Sequence, residues 1–241
     1  MAKAVPTVSE SRVRKESPER KADTWTEHAY LDLREDILSG ALQPDARLKI
    51  EELKDRYKVG PTPLREALSR LSSEGLVHAE QLKGYRVASM SLRELEELCD
   101  LRSMIETEAL RRSIENGDDE WEDAIVASFH KLDRLEQKLA NGEQINHDIW
   151  EDRNREFHDA LISAADSAWL LRIRKQLWDH HERYRRFAKA LLVQYPSSTV
   201  NDEHRTMMES ALERDYKRAA EAMRAHIMFT IDLLRDHFQD Q

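Results

Sequence analysis

From Ser91 to Phe238, apolar side chains return every three or four residues and pause only where Gly, Asn or Pro cluster, a rhythm that leaves room for little but helix. Ser91-Leu92-Arg93-Glu94 opens the run as a capping box, with the serine accepting a backbone N–H three residues on. Leu95, Leu98, Leu101, Ile105 and Ala109 make one stripe, broken at Asn116-Gly117. Trp121, Ile125, Ser128, Leu132, Leu135 and Leu139 make another, broken at Asn141-Gly142. Further helices are expected over about 147–165, 167–193, 200–213 and 215–238, with Tyr195-Pro196-Ser197-Ser198 as a break.

The earlier part of the chain has a different rhythm. Residues 1–22 mix Ser, Pro, Lys, Arg and Glu with almost no bulky apolar side chains, the composition of a disordered tail. From about Asp23 a period of four begins (Trp25, Ala29, Leu33, Ile37) and stops at Ser39-Gly40. Ala41–Asp45 reads as a loop, and Ile50, Leu53 and Tyr57 mark a second, short helix. A third is expected from Thr62-Pro63, with threonine as N-cap and proline at the first helical position. Its buried stripe is Leu64, Ala67, Leu68 and Leu71, and Gly75 ends it. Leu76–Ala79 and Tyr85–Ala88 are extended runs joined by Glu80–Gly84, a hairpin. Three helices and a hairpin make a winged helix-turn-helix, whose third helix enters the major groove of DNA. The fold class expected is mainly α: a winged helix-turn-helix over 23–90 and an all-helical effector-binding and dimerisation domain over 91–238, with the boundary near Ala88–Ser91.

A net charge of −9 sits oddly with DNA binding until it is divided along the chain. Residues 1–88 hold 16 Lys and Arg against 15 Asp and Glu, and the remainder holds 22 against 32. Within Lys54–Arg70, five basic residues face only Asp55 and Glu66. Affinity for phosphate depends on that local field rather than on the total. No apolar run approaches the roughly 20 residues that span a bilayer, and Met1–Arg20 lacks the apolar segment of a secretory signal. A single Cys99 excludes a disulfide framework and a thiolate zinc site. A cytoplasmic protein without a membrane partner is expected.

The stretch "ILSGALQPDARLKIEELKDRYKVGPTPLREALSRLSSEGLV" follows, in order, the helix, Gly-x-Leu-x-Pro loop, helix, turn, recognition helix and Gly-Leu-Val of the GntR family. Residues 24–90 closely resemble that family of transcription regulators. The resemblance implies a homodimer on a double-stranded, pseudo-palindromic DNA operator. It places Thr62 and Arg65 at positions that touch DNA and Lys83-Gly84 at the wing tip. Arginine suits the task because its fork can bond guanine or clamp a phosphate. Pro61 departs from the arginine many relatives carry, so one contact is lost or passed to Lys58 or Arg70. Arg70 suits a solvated or dimer-facing surface better than base reading.

Residues 92–238 resemble the FCD-type effector domain of the FadR branch. The anchors are "LRSMIETEAL", "NREFHDALISAA", "DEHRTMMESAL" and "EAMRAHI". That resemblance implies a divalent metal (zinc first, nickel or manganese as alternatives) on Asn154, His158, His204 and His226. The spacing is sensible by itself: Asn154 and His158 are four apart, on one helix face. Many relatives carry Asp where this chain has Asn154. A neutral amide leaves an ion's charge for an incoming carboxylate to offset. Arg102 could clamp a second carboxylate, or pair structurally with Glu106. A small carboxylate effector follows. "KGYRVASMS" and "GDDEWE" further resemble regulators of γ-aminobutyrate and glutarate catabolism, relatives of which respond to glutarate or 2-hydroxyglutarate.

Two rivals remain. A histidine-lined bundle could be a metal-dependent enzyme, but no paired Glu-x-x-His pattern or nucleophile–base set accompanies it, so no enzyme is expected. A sensor of fatty-acyl-CoA, known in another FadR branch, fits poorly with a polar, metal-lined pocket.

Overall fold

The computed structural model describes residues 25–80, 84–191 and 197–239, which fall into two compact units that meet in sequence between Ser89 and Met90. The expected tail over 1–22, the wing residue Lys83 and the break at Tyr195-Pro196 lie outside the described residues.

The first unit runs α1 (Trp25–Leu38), β1 (Arg47–Leu48), α2 (Ile50–Tyr57), α3 (Pro61–Ser73), β2 (Val77–Glu80) and β3 (Gly84–Val87). The strands form one antiparallel sheet in the order β1-β3-β2, with Leu48 opposite Tyr85 and Val77 opposite Val87. Leu33, Leu64, Ala67, Leu68 and Leu71 are wholly buried at the centre of an apolar core. Trp25, the first residue of the expected period, is 68% exposed. β1, two residues long, is too short to show the alternation by which a strand is read from sequence.

α3 corrects one expectation. It starts at Pro61, with Gly60 as N-cap and no side-chain capping bond. Proline's fixed φ and missing N–H suit the first helical position as well at 61 as at 63. Thr62 therefore lies inside the helix and is exposed rather than capping it.

The second unit is helical throughout its described residues: α4 (Leu92–Asn116), α5 (Asp119–Ala140), α6 (His147–Ile162), α7 (Ala168–Leu191), α8 (Ser197–Leu212) and α9 (Tyr216–Gln239). α4 packs on α7 and α9, α5 on α6 and α8, and α8 on α9. Ser91 Oγ accepts from Glu94 N at 3.1 Å, half of the expected capping box. The other half is diverted, since the Glu94 carboxylate accepts instead from Tyr184 Oη at 2.6 Å.

The stripe read on α4 is also corrected. Leu101 is 44% exposed, and the face turned inward carries Leu95, Cys99, Arg102, Ser103, Glu106, Ala109 and Leu110. Apolar periodicity marks a buried face only where that face is apolar. Here it is partly charged, because it borders the site described next.

Candidate DNA-reading and effector sites

In the first unit, α2 ends at Lys58, which adopts the left-handed conformation (φ 56°) and donates its N–H to Lys54 O at 3.0 Å. Val59 is buried behind it, so the turn into α3 is pinned at both ends. Thr62, Arg65 and Ser69 are exposed, three and four residues apart on the face opposite the Leu64–Leu68–Leu71 stripe. No hydrogen bond holds the Arg65 guanidinium among the described residues. Arg70 is otherwise engaged: it donates to Glu27 Oε2 at 2.8 Å and lies 3.6 Å from the centre of the Tyr30 ring. Its geometry is that of a clip between α1 and α3. Gly84, at φ +89° opposite Glu80, takes a backbone conformation that side-chain-bearing residues rarely adopt.

The second unit brings His158, His204 and His226 together from α6, α8 and α9, and Asn154 lies four residues before His158 on α6. Ligand-capable nitrogens of the three histidines lie within 4.8 Å of one another. His158 Nε2 and His204 Nε2 are 3.4 Å apart, which matches the edge of a tetrahedral site with Zn–N near 2.1 Å (about 3.4 Å). His204 Nδ1 pairs with Glu136 Oε1 at 3.0 Å and His226 Nδ1 with Glu203 Oε2 at 2.9 Å. Both rings thus present Nε2 to the group. Asn154 is fully buried, yet neither its Oδ1 nor its Nδ2 has a hydrogen-bond partner. Such an orphan costs about 1–3 kcal/mol if nothing meets it. Burial, and then the neighbouring imidazoles, hold His158 and His226 well below the ordinary histidine pKa, so both are neutral as metal ligation requires. The donor set fits a divalent ion.

Arg102 is buried in the same unit. Its Nε donates to Glu106 Oε1 at 2.7 Å, so the structural pairing considered from sequence does exist. It satisfies only part of the neighbourhood. Arg102, Arg174 and Arg185 lie 4.7, 4.2 and 4.5 Å from the centre of the single Trp178 ring. Arg102 and Arg185 both donate to His181 Nδ1, which fixes the neutral tautomer with its proton on Nε2. His181 Nε2, Glu106 Oε2, Arg174 Nε and Nη2, and Arg185 Nε have no hydrogen-bond partner. Burial lowers the Arg102 pKa only to about 10, and Glu106, which burial pushes up, is held below its ordinary value by Arg102 and Arg174. Arg102 and Glu106 therefore stay charged at neutral pH.

Sequence reasoning missed Arg174, Trp178, His181 and Arg185. The signal was present: their spacing of four, three and four places them on one face of α7. A search for apolar stripes passes over a stripe made of cations and one indole. Glu136 and Glu203 were missed for a different reason, because their partners lie 68 and 23 residues away.

A helix-turn-helix head followed by an all-helical unit defines a class of two-domain transcription regulator. Residues 25–87 match the family described as bacterial regulatory proteins, gntR family, and residues 97–229 match the FCD domain. The chain is 41% identical, over 87% of its length and 84% of the relative's, to the uncharacterized HTH-type transcriptional regulator BphR of Paraburkholderia xenovorans (strain LB400). It is 38% identical, over 86% and 94%, to the HTH-type transcriptional repressor GlaR of Escherichia coli (strain K12). Its fold is similar to that of E. coli McbR/YncC, with a TM-score of 0.75 at 20% identity over 89% of this chain and 99% of that one. The chain belongs to the GntR family and carries an FCD domain. It is a DNA-binding transcription regulator; the relatives are regulators, which sets the enzyme alternative aside. No described helix is long and apolar enough to cross a membrane.

Proposed function

We propose that this regulator is a repressor of the FadR branch that binds a pseudo-palindromic operator as a homodimer and is released by a small dicarboxylate. The observation that carries the effector half is the convergence of His158, His204 and His226, with the buried, unpartnered amide of Asn154 four residues before His158 and with Arg102 and Arg174 among the charges that act on His158. A divalent ion on those four residues, zinc first and nickel or manganese next, supplies a Lewis-acid partner for one carboxylate of the effector. Arg102 receives the other carboxylate together with Arg174 and Arg185, whose Nε and Nη2 atoms (Arg174) and Nε (Arg185) are unpartnered donors. Glutarate and 2-hydroxyglutarate have the compact shape and twofold charge this pairing suits. Surroundings this polar and this rich in cations disfavour the long apolar chain of an acyl-CoA.

On DNA, Arg65 reads a base edge or clamps a phosphate from the exposed face of α3, with Thr62 beside it. Lys58, Lys83 and Gly84 serve the flanking phosphates. Arg70, occupied by Glu27 and Tyr30, contributes by holding α3 on α1. A second copy of the chain finds apolar surface at Leu101 and Met104, which stand 44% and 67% exposed one helical turn apart on α4. Release requires that the dicarboxylate favour one state of the dimer over the other.

Selection of binding sites from a random duplex library tests this reading. It should enrich an inverted repeat, and glutarate or 2-hydroxyglutarate should release the selected duplex in a shift assay. Failure to enrich any sequence would contradict the DNA half. An enriched sequence that no dicarboxylate releases would contradict the effector half.

A further inference from the structure

This inference rests on the metal reading above. With Asn154 in the ligand set, four neutral donors face a divalent cation among buried side chains, and none of them offsets its charge. The structure places two carboxylates one layer further out. Glu136 on α5 is 1% exposed and accepts from His204 Nδ1 at 3.0 Å, while its second oxygen accepts from Asn201 Nδ2 at 2.9 Å. Glu203 precedes His204 on α8 but reaches across to His226 Nδ1 on α9 at 2.9 Å. Among the described residues, neither carboxylate forms an ion pair with a lysine or arginine. Burying the Glu136 carboxylate without an ion-paired cation is costly, and it and the half-buried Glu203 carboxylate touch the outer nitrogens of the same histidine cluster. His158 has no such support, because its Nδ1 has no partner.

We propose that Glu136 and Glu203 are positioning residues that carry the negative charge Asn154 does not supply. Each accepts the Nδ1–H of a histidine ligand, fixes that tautomer with the Nε2 lone pair turned inward, and makes the imidazole a better donor. Two carboxylates at second remove balance the two positive charges of the ion. The direct coordination position of Asn154 stays neutral and exchangeable, so an anionic effector does not compete with a carboxylate ligand for the ion.

Chelator competition with Zn²⁺ on the full chain, paired with melting of the metal-free protein, tests the proposal. Glu136→Gln and Glu203→Gln keep an acceptor for Nδ1–H and remove only the charge. Each should weaken Zn²⁺ binding about 10- to 100-fold, while metal-free melting stays level or rises because an uncompensated buried charge has gone. Asn154→Asp should tighten binding and should restore it in the Asn154→Asp/Glu136→Gln double variant. Unchanged Zn²⁺ affinity in both glutamine variants, or a loss of metal-free stability with affinity intact, overturns the proposal alone. A wild-type chain that takes up no Zn²⁺, Ni²⁺ or Mn²⁺ overturns the metal reading and this proposal together.

Discussion

The two units keep opposite kinds of interior. In the DNA-reading head, the buried described side chains are apolar, Tyr30 being the nearest to an exception, and charge is confined to the surface. In the helical unit, Arg102, Glu106, Glu136, Glu151, Arg174, Arg185 and three histidines are all nine-tenths buried or more. Apolar burial stabilises wherever it occurs, whereas buried ion pairs often give less than a well-packed apolar replacement would. A fold that retains so many of them in one place is holding something other than stability. The head devotes its interior to packing α3, and the helical unit gives part of its interior to charged and imidazole groups.

The sharpest way to break this contrast is Glu106→Ala. It leaves Arg102 and Arg174 buried without their shared carboxylate. Denaturant titration should show a loss of about 3–5 kcal/mol, the usual cost of stranding a buried charge. A loss under about 1 kcal/mol would mean that the network is wet and loosely held.

Acid gives the next largest effect, again confined to the helical unit. Burial, and then Arg102 and Arg185, hold the folded-state pKa of His181 well below its ordinary value. The unfolded chain therefore takes up a proton that the folded unit refuses as pH falls below about 6.5, and metal-free stability should drop through that window. Both described histidines of the head, His28 and His78, are exposed. Melting from pH 8 to pH 5 should accordingly lower the helical transition more than that of the head, and parallel shifts would count against the contrast.

The smallest effect on stability sharpens the comparison from the other side. Arg65→Ala removes an exposed side chain without a hydrogen-bond partner, so folding should change by no more than about 0.5 kcal/mol. Operator affinity should nevertheless fall about 10-fold or more, the scale of one lost base or phosphate contact. Unchanged affinity in a shift assay would remove Arg65 from the reading face.

The head was legible in the sequence because local rules agree there: Leu64, Ala67, Leu68 and Leu71 are spaced as a helix and buried as a core. Even so, two prolines two residues apart offered the same starting signal, and the helix took Pro61 rather than Pro63. In the helical unit the element positions were readable and the inward face of α4 was not. Leu101 fitted the period but faces out, while Arg102 and Glu106 face in. Asn154 and His158 could be paired by their spacing, and His204 and His226 only through family resemblance. Glu136, Glu203 and the cations around Trp178 belong to contacts between helices distant in sequence, which no single helical period encodes.

The central claim is that the charged interior of the helical unit is a sensor for a small dianion. Calorimetric titration of glutarate and 2-hydroxyglutarate into the full chain, once loaded with Zn²⁺ and once stripped by chelator, tests it most directly. The account predicts saturable one-to-one binding to the loaded chain and a marked loss of affinity in the stripped one. No heat with the loaded chain, or equal binding with and without the metal, would contradict it.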